Sequence, residues 1–140
     1  MIAVDASLIG AFILKEDGWE NFADILENAL TIDHAIKEVS NAIWKAHIKG
    51  YIGLEDVKTK FEALKKLFSL NLTIVSEIDL LDKTMEISLS QRIPVYDSLY
   101  IALAITKKAS FSSLDKTQLN VAKEMGIPIV QASTPKKKKE

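Results

Sequence analysis

Short apolar runs alternate along this chain with stretches in which apolar residues return every three or four positions. Ile2-Ala3-Val4 is a three-residue run closed by Asp5, the pattern of a short buried strand. Ser7 is placed to cap a helix over 8–14, because its hydroxyl can accept from a free backbone N–H. Gly18 interrupts that helix, and Trp19, Phe22, Ala23, Leu26 and Leu30 recur at helical spacing, predicting a second helix over 19–30. Ile36, Val39, Ile43 and His47 form one stripe of a helix over 34–49, ended by Gly50. Val57, Phe61, Leu64 and Leu67 repeat the pattern over 54–70 among outward lysines. The run 72–75 reads as a strand and 78–89 as a helix, and Pro94 breaks the chain before the next element. The stretch 97–107 is apolar on nearly every side, as a helix in the middle of a domain is. A strand over 110–114, a helix over 117–125 and a last strand over 127–130 follow. Strands alternating with helices, without hairpin signals, predict parallel pairing through right-handed crossovers. The fold class is α/β, a three-layer α/β/α sandwich around a short parallel sheet.

Composition narrows the class. A chain of 140 residues suits one domain; the expected division is a domain over 1–131 and a lysine-rich, disordered tail over 132–140. With 48% hydrophobic and 26% charged residues, wholesale disorder is excluded. The absence of cysteine removes disulfides, thiolate metal sites and cysteine nucleophiles together. No apolar run approaches the ~18 residues of a membrane span. No basic segment precedes the first apolar stretch, since the first lysine is Lys15, so a cytoplasmic location is expected. Lysine and arginine number 18 against 19 acidic residues, but without the tail Lys136–Lys139 and Glu140 the balance is 14 against 18. A body with that excess has no general attraction for nucleic acid, so a polyanion would have to be held by local lysines or by metal ions.

The candidate chemistry lies in the acids. In an open parallel sheet ligands bind beyond the carboxyl ends of the strands, near the switch in strand order. Asp5 closes the first strand, Asp115 follows the 110–114 run, and Asp97 stands at the entrance to the most apolar helix. Each taken singly has an ordinary structural use: a turn, a loop and an N-cap respectively. Glu38, beside Asn41, Ala42 and Lys45 at helical spacing, reads equally well as part of a solvated face. Neither His34 nor His47 sits in a triad context; His34 starts a helix, and His47 falls on an apolar stripe. Five scattered glycines make no phosphate loop. The helical spacing of Trp19, Phe22 and Trp44 favours packing over base stacking.

Taken together the acids carry more. Val4-Asp5-Ala6-Ser7, the helical Glu38, Tyr96-Asp97 opening an alanine-rich helix, and Ser113-Leu114-Asp115 occur in the order and at the spacing of the PIN domain family, which this chain resembles from Met1 to about Gln131. No single motif is specific, whereas all four in order are. In size the chain is most similar to the VapC toxins of prokaryotic toxin–antitoxin pairs.

That resemblance implies metal-dependent hydrolysis of RNA phosphodiesters, leaving a 5′-phosphate and a 3′-hydroxyl. Asp5, Asp97 and Asp115 would hold the metal and Glu38 would complete the cluster, with Ser7 and Ser113 orienting carboxylates or water behind them. Four gathered carboxylates would repel one another without a cation, and all-oxygen ligands select Mg²⁺ or Mn²⁺ over zinc. Lys45, Lys49, Lys107, Lys108 and Lys116 are the candidates for contacts with the RNA backbone. A cognate antitoxin would occupy an apolar groove between the helices around 6–14 and 44–67, and a homodimer is implied. Within the family, a housekeeping RNA-processing nuclease shares the same acids as a toxin, and a non-catalytic binding module shares the fold. A haloacid-dehalogenase phosphatase would want a second aspartate where Ser7 stands, and a receiver domain an acidic pair at the first strand; neither pattern is met.

Overall fold

The structure, a computed structural model, describes residues 1–132, so the lysine tail lies outside the described residues. Four parallel strands, β1 (Ile2–Val4), β2 (Ala29–Ile32), β3 (Thr73–Val75) and β4 (Ser110–Ser112), form one sheet in the order β3-β2-β1-β4. The chain steps outward from β1 to β2 to β3, then returns to the other side of β1. The order therefore reverses between β1 and β4, where a crevice opens at the carboxyl ends of two neighbouring strands.

Helices supply the outer layers. α1 (Ala6–Ile13) and α2 (Phe22–Leu26) connect β1 to β2, and α2 packs on both strands while α1 packs on α2. α3 (His34–Ile48) and α4 (Leu54–Lys66) form an antiparallel pair between β2 and β3. A five-residue π turn over Leu67–Asn71 ends that arm. α5 (Leu81–Gln91) packs on α6 (Val95–Lys107), which lies on β1, β2 and β4. α6 buries every residue from Ser98 to Ala104, as its all-round apolar sequence requires. α7 (Lys116–Glu124) closes the edge beside β4.

Two predicted elements differ. The helix expected over 19–30 is a 3₁₀ turn over Trp19–Asn21 followed by the short α2, and Ala29–Ile32 is instead a wholly buried strand in the middle of the sheet. The strand expected over 127–130 is a single parallel bridge from Ile129 to Phe111; Pro128 has no N–H to donate to a longer ladder. The residue that caps α1 is Asp5, whose carboxylate accepts from Leu8 N at 3.3 Å; Ser7 does not cap it. Among the described residues no helix is long and apolar enough to cross a membrane.

Candidate active site

The register of β1 and β4 pairs Val4 with Ser112, so the residues just beyond them, Asp5 and Ser113, meet at the carboxyl edge of the sheet. Ser113 Oγ donates to Asp5 Oδ2 at 2.6 Å and Ser7 Oγ donates to Oδ1 at 2.7 Å. Both hydroxyls also serve the loop after β4. Ser113 Oγ accepts from Asp115 N at 2.9 Å, and Ser7 Oγ accepts from Leu114 N at 3.1 Å. The loop is thereby tied across the crevice, and Asp115 is delivered to the N-cap of α7, where it accepts from Thr117 N and Gln118 N.

Asp97 arrives from the opposite side. Pro94 holds extended backbone at the start of α6, which puts Asp97 in the first turn, near the positive end of the helix dipole. Gln118, from α7, joins the two sides: its Nε2 donates to Asp5 Oδ2 at 3.2 Å and to Asp97 Oδ1 at 3.4 Å. Glu38, on α3, accepts from the buried hydroxyl of Tyr100, one turn along α6 from Asp97. His34 Nε2 lies 4.0 Å from the same Glu38 oxygen, and its ring stacks on Tyr96.

The electrostatics follow from this crowding. Burial pushes the Asp5 carboxyl up to about 6; hydrogen bonds from Ser113, Ser7 and Leu8 offset only part of that cost, and the charge of Asp115 adds to it. Asp97 is raised by burial, then by the charges of Asp115 and Glu38. Tyr100 is held as a neutral phenol by burial, then by the charge and hydrogen bond of Glu38. Asp5, Glu38 and Asp115 thus each act on a neighbouring group, and Asp97 is acted on by two of them. Among the described residues no lysine or arginine lies within 4 Å of any of them.

The lysines divide. Lys45 and Lys49 line a cleft of about 320 Å³ with Glu38, Asn41 and Tyr51, and Lys116 is exposed next to Asp115. Lys107 and Lys108 stand ten and eleven residues beyond Asp97, about 15 Å along the axis of α6 at 1.5 Å per residue. They lead into the amino end of β4, whereas the acids lie at its carboxyl end. The structure does not bring them to the crevice.

Three residues at the site escape a reading of the sequence. Tyr100 lies inside the apolar helix, and nothing in its local pattern separates it from a core aromatic. Gln118 belongs to a short polar run in which every residue has a surface explanation. His34 reads as a helix start, and its approach to Glu38 needs only the i,i+4 spacing that the sequence does contain.

Whether these residues suit a divalent cation is a question of donors and charge. The acids offer oxygens only, none of them is paired with a lysine or arginine among the described residues, and two of them are held above their ordinary range by burial and by neighbouring charge. Among the described residues no three acidic or histidine groups converge tightly enough to form a finished cage. In donor chemistry and charge the set fits a hard cation such as Mg²⁺ or Mn²⁺.

Comparison with known proteins gives a consistent picture. The PIN domain family profile matches residues 2–124. Ribonuclease VapC3 of Pyrobaculum aerophilum is 29% identical over 118 residues, spanning 82% of this chain and 89% of that protein. The crystal structure of PAE2754 from the same organism superposes with a TM-score of 0.73 at 21% identity, covering 94% of this chain and 90% of that one. A toxin–antitoxin complex from Klebsiella pneumoniae contains a chain with a TM-score of 0.65 at 13% identity, covering 96% of this chain and all of that one. At such identities the structural likeness is one of fold.

Proposed function

The chain belongs to the PIN domain family, and from that premise we propose that it is a metal-dependent endoribonuclease, the toxin of a VapBC-type toxin–antitoxin pair. One observation supports the reading above the others. Asp5, Glu38, Asp97 and Asp115 come from four separate elements to one crevice at the strand-order reversal, and among the described residues none of them pairs with a lysine or arginine. Asp5 is buried and the other three are partly so, and gathering carboxylates there is costly unless a bound cation offsets it.

In this reading Asp5, Asp97 and Asp115 hold Mg²⁺ or Mn²⁺, and Glu38 binds it directly or through water. Such an ion lowers the pKa of a bound water and polarises the phosphoryl group. The rest belongs to the chain's own side chains. Ser7 and Ser113 hold both oxygens of Asp5 in place by donating to them. Tyr100 keeps its proton and donates a hydrogen bond to Glu38 Oε1, fixing that carboxylate's orientation. Lys45 and Lys49, with Lys116 across the crevice, offer ammonium groups to the RNA backbone where the acidic body would otherwise repel it. The cytoplasm is where such a substrate is met.

The likeness to a ribonuclease and to a chain of a toxin–antitoxin complex supports an RNA substrate and an antitoxin partner. A groove of about 390 Å³ between α1, α2 and α4, lined by Phe12, Ile13, Leu26, Ala63 and Leu67, suits an apolar antitoxin segment. Leu81, Met85 and Leu89 form an exposed apolar stripe at helical spacing along α5, continued by Ile78 in the 3₁₀ turn Glu77–Leu80 before it, and supply a face for a homodimer. The expected division into one domain and a lysine tail stands with this reading.

RNA cleavage by the purified protein in Mg²⁺ or Mn²⁺, with and without EDTA, tests the function. Cuts that need the metal and vanish in Asp97→Asn support it; cuts that survive the substitution remove these acids from the chemistry.

A further inference from the structure

Among the described residues Gln118 alone has a buried side-chain polar atom with no hydrogen-bond partner. Its side chain is 5% exposed, and Nε2 reaches both Asp5 Oδ2 at 3.2 Å and Asp97 Oδ1 at 3.4 Å. Its Oε1 is buried and has no donor. An amide carries two N–H donors and one carbonyl acceptor. The present orientation uses both donors, through long bonds, and leaves the buried acceptor without a partner, which is unfavourable.

A half-turn about the last side-chain torsion exchanges Nε2 and Oε1. Without a cation that exchange would set an oxygen against two carboxylates and is strongly disfavoured. With a divalent cation between Asp5 and Asp97 the preference inverts, because carboxylates that hold a metal no longer need donors, whereas the metal takes further oxygens. Glutamine carbonyls are ordinary ligands for hard cations.

We propose that Gln118 is an oxygen donor to the divalent cation, with its amide donating to Asp5 and Asp97 in the metal-free protein and turning its carbonyl toward the ion when the ion is bound. The inference rests on the metal-dependent reading above and adds a neutral ligand to its four acids. The same side chain then serves two states. It supplies N–H groups to two carboxylates when they lack a counterion, and an oxygen when the counterion arrives.

Three proteins test this: the parent, Gln118→Met, which keeps the length and removes both polar atoms, and Gln118→Glu, which can supply an oxygen but no N–H. Mn²⁺ binding is read by the loss of the free-ion signal in electron paramagnetic resonance, with thermal unfolding in EDTA as the control for folding. The expected result is that Gln118→Met binds Mn²⁺ about tenfold more weakly, whereas Gln118→Glu binds it at least as tightly as the parent. Gln118→Glu should also unfold at a lower temperature in EDTA and recover when Mn²⁺ is added. Binding by Gln118→Met as tight as the parent's, or tighter, overturns the proposal; the tighter case would mean that the amide N–H groups compete with the ion. If Gln118→Met does not fold, weaker binding by Gln118→Glu overturns it instead. A parent protein that binds no Mn²⁺ removes the metal-dependent reading and this inference with it, whereas a parent that binds Mn²⁺ with no response to either substitution removes the inference alone.

Discussion

Asp5 is the residue at which folding and chemistry pull in opposite directions. It is buried at the end of β1, and its carboxyl is pushed up to about 6. Between the ordinary carboxylate range and that value the folded chain holds a proton that the unfolded chain has lost. Stability of the metal-free protein should therefore fall as pH rises from about 4 to about 6 and level off above. Urea unfolding in EDTA across this range measures the slope. Asp5→Asn removes the charge, so at pH 7 the same assay should show a gain of about 1–3 kcal/mol together with loss of cleavage, the upper figure being the linkage value of two pKa units. Tyr100→Phe frees Glu38 from its donor, and should lower cleavage about tenfold while costing about 1 kcal/mol of stability. A quantitative cleavage assay beside thermal unfolding checks both parts. The four acids were legible because the chain repeats a known order of motifs. Tyr100 and Gln118 were not, since their importance lies in what stands opposite them in space, and a tyrosine in a buried helix or a glutamine in a polar one carries no local mark of that.

At the scale of elements, helix ends carry the testable detail. Lys108 caps α6 in the left-handed conformation at φ 53°, and its exposed side chain stands at the end of the sheet remote from the acids. Lys108→Gly should raise stability by up to about 1 kcal/mol, since glycine adopts that conformation without steric cost. Thermal unfolding reads the gain, and an unchanged cleavage rate would agree with the remote position of Lys108. The same scale explains which elements the sequence made visible. The helices α3, α4 and α6 are long enough for their apolar period to be unambiguous. β2 was hidden because Leu30 continues the stripe of Phe22, Ala23 and Leu26, and four buried residues are too few for one period to exclude the other. At the far end, Ile127-Pro128-Ile129-Val130 has the composition of a strand, but a proline limits it to a bridge.

At the scale of the whole molecule, the apolar stripe on α5 and the acidic body make separate predictions. Leu89→Glu, which places a charge at the most exposed position of the stripe, should convert a dimer to a monomer in sedimentation without unfolding the chain. Only Lys45, Lys49 and Lys116 are placed to meet the RNA backbone, so the apparent RNA affinity should fall only shallowly with salt, with a log–log slope of about −2 at the ~0.7 per phosphate of single strands. Titration of binding against KCl at fixed Mg²⁺ measures it. One contact already described bears on how the protein is made. Asp5 is held by Ser113, 108 positions later in the chain, and β1 cannot gain its outer neighbour until β4 exists. A ribosome producing this polypeptide must therefore release nearly the whole domain before the crevice can close. The crevice in which we place the chemistry is thus among the last features to be completed during synthesis, and a chain cut short before residue 113 should cut no RNA in the assay proposed above.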